Sequence, residues 1–326
     1  MPFPKGMEHP SAKISAASFL DEFRKIGATA MAKKYGVLER SIYRRRRQLE
    51  ESRCAVVAAP TRGGHVQELD KHPAAINLSI RDGVVLVGSD AHFWPGIHST
   101  AFRAFVKFCQ DMQPVAVIMN GDAYDGARVS RWPDGSWQDA SAKPSVVQEL
   151  TATQDALSEV EKATPKARHI FPLGNHDARF EMRLLQQAPE YADVHGVKLK
   201  DHLPSWEPCW ATFINKDVVI KHRLKGGIHA THNNTVNSGR TVVTGHLHSL
   251  KVTPFSDYNG TRWGVDSGTL ADPYGPQFAN YTELGPLNWR SGFVVLTFHK
   301  GQLLWPEIVF VRGPGEYEFR GKVYKV

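Results

Sequence analysis

The sequence predicts an α/β protein whose nearly neutral body follows a small all-α basic head. Three observations carry this. From residue 81 onward short apolar runs recur, with segments of helical periodicity between them. The formal charge of +7 is uneven: residues 1–60 hold 12 Lys and Arg against 6 Asp and Glu, while the remainder is close to balance. Past residue 248 the chain turns strand-rich. At 326 residues it is long enough for one large domain and a small one. The expected divisions are a helical head at 11–50, a linker rich in Ala, Pro and Gly at 51–80, and a body at 81–326.

The opening MPFPKGMEHPSAK lacks an apolar stretch of signal-peptide length, and no run of eighteen apolar residues occurs. Cys54, Cys109 and Cys209 are too scattered for a disulfide framework or a zinc ribbon. These features predict a cytoplasmic protein with no membrane partner.

In the head, Ala16, Phe19, Leu20 and Phe23 recur at helical spacing, and ATAMAKKY supplies a second helix of strong formers that Gly36 stops. A turn through Gly36 and Val37 leads to a third helix. There Leu38, Ile42 and Leu49 are expected inside, with Arg40, Ser41, Arg44, Arg45 and Arg47 in water. The pattern resembles the helix-turn-helix of recombinases and phage regulators. That resemblance implies a nucleic-acid partner, DNA first, a phage or mobile-element setting, and a homodimer. Four consecutive arginines at 44–47 favour phosphate contacts over an ordinary solvated face.

In the body, five apolar runs break into metal-type ligands. VVLVGSDAH ends in Asp90 and His92, VAVIMNGDAYD in Asp122 and Asp125, and HIFPLGNHD in Asn175, His176 and Asp177. DVVIKH closes on His222 and TVVTGHLH on His246 and His248. Side chains just past the carboxyl ends of strands converge on one rim, so distant residues can share a site. STAFRAFVKFCQDM and SVVQELTATQDALSEVEKA supply the helical crossovers, giving βαβ units over 83–173.

In this order the set DxH, GDxxD, GNHD, H, GHxH resembles the calcineurin-like metallophosphoesterase family over residues 90–248. The resemblance implies a two-sheet β-sandwich flanked by helices, α/β/β/α, with WGVDSGTL, SGFVVLTFHKGQLLWPEIVF and YEFRGKVYKV in the second sheet. Gly301 and Gln302 read as a hairpin turn. It also implies two divalent metal ions, Mn2+ first and Fe or Zn next, since imidazole with carboxylate suits these ions better than calcium or magnesium.

By the same resemblance Asp90, His92 and His248 hold one metal, Asp122 bridges, and Asn175, His222 and His246 complete the other. A bridging hydroxide would attack phosphorus. Asn175 would be a neutral oxygen ligand that limits anionic charge. His176 would face the leaving oxygen as general acid, oriented by Asp125. Asp177 stands where the family's protein phosphatases have Glu, and a turn or cap role is open to it as well.

His229 and His232 compete for the lone-histidine position, but a strand delivers His222 directly to the rim. His169, His195, His202 and His299 have no motif context and read as structural or exposed. The chain departs from the protein phosphatases by lacking an arginine directly after GDxxD, with Arg128 and Arg131 as the nearby substitutes. Tyr124, Trp132 and Trp137 cluster there and could stack on bases.

The function expected is a dimetal phosphodiesterase or nuclease acting on DNA. One alternative is a phosphomonoesterase or small-nucleotide phosphodiesterase whose basic head serves only targeting. Another is an inactive DNA-binding regulator, against which all seven ligand positions being filled argues.

Overall fold

The computed structural model describes residues 14–53, 72–130, 143–278 and 287–326. The chain divides into two compact units, Met1–Lys71 and His72–Val326. In the first, α1 (Ala16–Tyr35) packs on α2 (Glu39–Arg53). Ser15 starts α1 by accepting the Ser18 N–H, and Gly36 ends it in the left-handed conformation. Gly27, at φ 75° and ψ 174°, breaks α1 in the middle, so two helical segments meet there at a kink.

Phe19, Phe23, Met31 and Ile42 form the small core with Leu20 and Ala28. Leu38, expected inside, is 48% exposed. It precedes α2, so helical spacing does not align it with Ile42, and Val37 packs against the core instead. Arg45, expected in water, is half-buried: its guanidinium lies over the Phe19 ring and donates to the Ile14 carbonyl at 2.6 Å. Its stem covers apolar surface while its charge keeps a polar contact. Of the stretch read as linker, residues 54–71 lie outside the described residues.

The second unit runs β1 (Ile76–Leu78), β2 (Gly83–Gly88), α3 (Thr100–Met112), β3 (Ala116–Met119), α4 (Val146–Ala163), β4 (Arg168–Pro172), α5 (Asp177–Gln187) and α6 (Leu199–His202). It continues with β5 (Glu207–Cys209), β6 (Thr212–Ile214), β7 (Val218–Ile220), α7 (Ala230–Ser238), β8 (Thr241–Thr244), β9 (Lys251–Asp257) and β10 (Gly260–Asp266). The last strands are β11 (Gly292–His299), β12 (Gln302–Leu303), β13 (Glu307–Gly313), β14 (Glu316–Phe319) and β15 (Lys322–Lys325). Residues 76–78, inside the stretch read as linker, thus form a strand that pairs parallel with β6.

One sheet has the order β15-β14-β13-β11-β2-β3-β4-β5, with β12 on β11, and the other β1-β6-β7-β8-β10-β9. Strands β2 to β5 are mutually parallel, and α3 and α4 are the crossovers. Strand alternation builds the layers. Val85, Val87 and Ile118 face Ile214, Ile220, Val243 and Val265 of the other sheet. Leu86, Val117 and Met119 face Phe102, Phe105, Leu157 and Val160 on the helices. With α7 packed on β8, β9 and β10, the body is a two-sheet sandwich flanked by helices.

The tail corrects one expectation. WGVDSGTL supplies β10 of the six-stranded sheet, whereas β11 to β15 extend the nine-stranded sheet, β11 lying antiparallel to β2. The turn of the β11–β12 hairpin falls on Lys300 and Gly301, both at positive φ, and Gln302 already pairs with His299. Among the described residues no helix is long and apolar enough to cross a membrane.

Candidate metal centre

The tips of β2, β3, β4, β7 and β8 meet at one place. Asp90 N–H donates to the Gly121 carbonyl at 2.8 Å and His92 N–H to the Asp122 carbonyl at 2.9 Å, which interlocks the loops after β2 and β3. His176 N–H donates to Asp122 Oδ1 at 2.7 Å, and His246 N–H to Asp90 Oδ2 at 2.9 Å. Asp90, His92, Asp122, His246 and His248 all have φ between 42° and 69°. Sharp left-handed turns therefore end these strands and turn the side chains into the shared space, a strain that persists only where surroundings enforce it.

Donor atoms of Asp90, His92 and His248 lie within 4.8 Å of one another, as do those of Asp122, His222 and His246. His248 Nε2 is 3.0 Å from Asp90 Oδ1. His222 Nε2 is 4.0 Å from that same oxygen and 3.1 Å from Asp122 Oδ2, so the two groups are contiguous. A third group contains His92, Asp125 and His176. Asp125 Oδ1 lies 2.7 Å from His92 Nδ1 and 3.1 Å from His176 Nδ1, so it orients both rings and not His176 alone. His222 Nδ1 is 2.8 Å from the Asn120 carbonyl, which makes it the protonated nitrogen and leaves Nε2 to the cluster.

Asp90 and Asp122 are buried with no Lys or Arg beside them among the described residues. Burial alone would raise both carboxyls, yet the imidazoles of His248 and His222 hold Asp90 below its usual range and those of His222 and His176 hold Asp122 well below. Burial likewise pulls His222 down, but Asp122 and Asp90 push it up to about 10. Burial keeps His92 and His246 low, which favours the neutral imidazole that ligates metals.

The donors suit a divalent cation. His92 Nε2 and Asn175 Oδ1 are buried without hydrogen-bond partners, and His222 Nε2 has only its 3.1 Å approach to Asp122 Oδ2. An unpartnered buried nitrogen or oxygen costs roughly 1–3 kcal/mol, which a bound cation removes. Imidazole, carboxylate and amide oxygen together match transition-metal chemistry.

Asp177 is fully buried at the start of α5, and its carboxylate accepts the N–H groups of Asp122 at 2.7 Å, Gly174 at 2.8 Å and Tyr124 at 3.0 Å. It braces the loops that carry Asp122 and Asn175. Burial and the nearby Asp122 push it up to about 7.

His229 and His232 are exposed outside the cluster. His169 bonds Thr164 Oγ1 under Trp206, His202 bonds the Gly196 carbonyl, and His195 and His299 lie beside Asp201 and Asp82. Cys109 and Cys209 are buried free thiols, and burial pushes Cys109 up to about 12.

Of the arginines read as phosphate grips, Arg128 is committed to the Lys143 and Pro144 carbonyls ahead of α4, and Arg131 lies outside the described residues. Arg179 was missed: its Nη1 lies 2.9 Å from His176 Nδ1 and 3.4 Å from the Asp125 carbonyl. The signal was available, because a residue three past His176 on a helix shares its face. Tyr124 is fully buried, which removes it as a base-stacking surface, and Trp132 and Trp137 lie outside the described residues.

No protein-family model matches the chain, and no curated protein matches it. Among solved structures it is similar to Chaetomium thermophilum Vps29, at 8% identity and TM-score 0.39 over 74% of this chain and 98% of that one. It is also similar to a Saccharomyces cerevisiae protein serine/threonine phosphatase with similarity to human PP5, at 15% identity and TM-score 0.35 over 74% and 86%. A third is the Escherichia coli phosphoesterase YfcE, at 11% identity and TM-score 0.32 over 68% and 97%. At these scores the likeness decides nothing about the site, whose chemistry rests on its own residues.

Proposed function

We propose that this chain is a dimetal phosphodiesterase of the calcineurin-like kind that cleaves nucleic acid, DNA first, with manganese, iron or zinc in the site. One observation carries the reading: Asp and His donors from five separate strand tips converge on one place, buried except for the exposed His246 and the half-buried His176, and Asn175 Oδ1 beside them is buried without a partner. Asp90, His92 and His248 would hold one ion, and Asn175, His222 and His246 the other, with Asp122 between. Bound there, the ions would polarise the phosphoryl oxygens and make water a better nucleophile near neutral pH.

The rest is work for the chain's own groups. His176 is partly exposed beside the cluster, with Nε2 4.0 Å from Asp122 Oδ2. Its Nδ1 sits against the Asp125 carbonyl at 2.8 Å, which fixes the ring and leaves Nε2 to pass a proton to the leaving oxygen. Burial pulls its pKa down, but Asp122 and Asp125 more than offset this and raise it above the usual imidazole value. Arg179, with Nη1 against the Nδ1 side of the same ring, adds a positive charge close to where the phosphate would lie. Exposed Arg40, Arg44 and Arg47 on α2 favour a polyanionic substrate.

The test incubates manganese-loaded protein with end-labelled single- and double-stranded DNA. Wild type is expected to cleave, and Asp122→Ala and His176→Ala to lose cleavage by about 100-fold or more. Variants that cut like wild type would overturn the site assignment. Cleavage no greater than in a chelator control would overturn the nuclease reading.

A further inference from the structure

Beside the candidate centre lies a cavity of about 760 Å³, within the range that holds drug-sized ligands. It shares two walls with the metal-type residues. His92 lines it directly, and so does Trp289, whose ring meets His248 edge-on at 4.4 Å. Trp94 and Tyr274 line it as well. Tyr274 is 72% exposed, although its turn is ordered: Tyr274 N–H donates to Asp272 Oδ1 at 3.0 Å and Gly275 N–H to the Asp272 carbonyl at 2.9 Å. A large aromatic side chain presented on a fixed turn between two prolines is apolar surface that folding alone does not require.

The cavity is also cationic. Arg103, Arg290 and Arg312 line it with the single carboxylate of Asp272 among its described lining residues; Arg312 is paired with Glu318 at 3.1 Å and Arg290 donates to the Ser249 carbonyl at 3.0 Å. Among the described residues Arg103 makes only a long 3.4 Å bond, to Thr100 Oγ1. An apolar peptide would have no use for the Arg103 guanidinium, and an inorganic anion none for the aromatic faces. A nucleoside joined to phosphate uses both, since every base has a π-face and its phosphates bind arginine.

We propose that this cavity seats the base and sugar next to the scissile phosphate, stacked on Trp94 and Tyr274, with Arg103 on a neighbouring phosphate. The inference rests on the phosphodiesterase reading for its kinetic consequence but not for binding. The kinetic test compares thymidine 5′-(p-nitrophenyl phosphate) with methyl p-nitrophenyl phosphate, which share a leaving group and differ in the base. Wild type is expected to show a KM for the thymidine ester lower by about tenfold or more, from a stacking contribution of that order. Tyr274→Ala and Trp94→Ala should collapse the ratio toward one, while Tyr274→Phe and Trp94→Phe, which keep a π-face, should retain it. A wild-type ratio of one, or a ratio that the alanine variants leave unchanged, overturns the proposal.

Calorimetric titration of thymidine 5′-monophosphate into chelator-treated protein separates the two readings. If neither ester is turned over but the nucleotide binds and Tyr274→Ala weakens it, the phosphodiesterase reading fails and the cavity stands. No binding, or binding indifferent to both alanine substitutions, overturns the cavity.

Discussion

Substituting Gly174 by alanine tests whether Asp122 is held as tightly as the geometry requires. Gly174 lies between β4 and α5, and its N–H donates to Asp177 Oδ2 at 2.8 Å. A Cβ at this position would fall 2.0 Å from Asp122 Oδ1, 2.5 Å from Asp122 N and 2.7 Å from Asp122 Cγ. Rotating a side chain gives no relief, because one clash is with backbone and Oδ1 is itself bound by His176 N–H at 2.7 Å. Asp122 or the β4–α5 loop must then move by well over an ångström. Overpacking of this kind costs about 1–3 kcal/mol, which for a body of this size lowers the melting temperature by about 2–12 °C. Misplacing a catalytic group by ~1 Å costs about 100-fold in rate. Displacing a ligand's support weakens metal affinity by about 10- to 100-fold. Circular dichroism melts, calorimetric titration with manganese, and kcat/KM on bis-p-nitrophenyl phosphate read the three effects. Gly226→Ala is the control, since its Cβ would meet nothing closer than Leu247 Cδ2 at 3.9 Å. If Gly174→Ala binds manganese and turns over within about twofold of wild type, Asp122 is not the fixed element argued here.

Three more outcomes are expected. Glu149 on α4 is fully buried, and burial lifts its carboxyl from 4.5 to about 7. The folded state thus keeps a proton that the unfolded state releases, and stability falls as pH rises from about 4.5 to 7, by about 3 kcal/mol at most. Glu149→Gln should flatten that slope in urea unfolding at pH 5 and 7, and parallel slopes would refute the assignment. Arg179→Ala should raise KM for a phosphodiester about tenfold while manganese affinity stays within about twofold. Burial and Arg179 both lower the His176 pKa, so the alkaline limb of the pH–rate profile should also move to higher pH in this variant. Saturating manganese should raise the melting temperature of wild type, by about 2.7 kcal/mol of stability at 100 times Kd, and Asp122→Ala should lose most of that rise.

The metal-type residues were legible because each follows an apolar run, and a run that breaks into Asp, His or Asn marks a strand tip wherever the sheet is buried on both faces. Asn175, His176 and Asp177 show where that reading stopped. Spacing placed all three at the tip of β4, but only coordinates reveal that Asp177 turns back to accept three N–H groups from two loops. The tail was misplaced for a related reason, although its sequence held the answer. Phe293 and Val295 join the helix-side core, while Val294 and Leu296 join the core between the sheets. A run buried on both faces belongs in the middle of a sheet, and GFVVLTF is such a run. Leu38 is exposed because it precedes α2, where helical spacing does not hold, whereas Arg45 is half-buried because it stands three residues after Ile42 and four before Leu49, on the face of α2 that meets the small core.

The left-handed turns explain how such a site survives. Each non-glycine residue in that conformation costs on the order of 1–2 kcal/mol, somewhat less for Asp and His, which tolerate it better. Five such residues carry donors here. They are held by bonds that run between loops as well as within them: β2's tip on β3's, β4's on β3's through Asp177, β8's on β7's through the Gly245 N–H, and β8's on β2's through the His246 N–H. Relaxing any one turn would unpair buried groups on its neighbour, so the strain cannot be released piecemeal. The five tips therefore keep their donors pointed together as one unit. For the same reason a small intrusion at Gly174, which donates no ligand, is expected to cost as much as loss of a ligand.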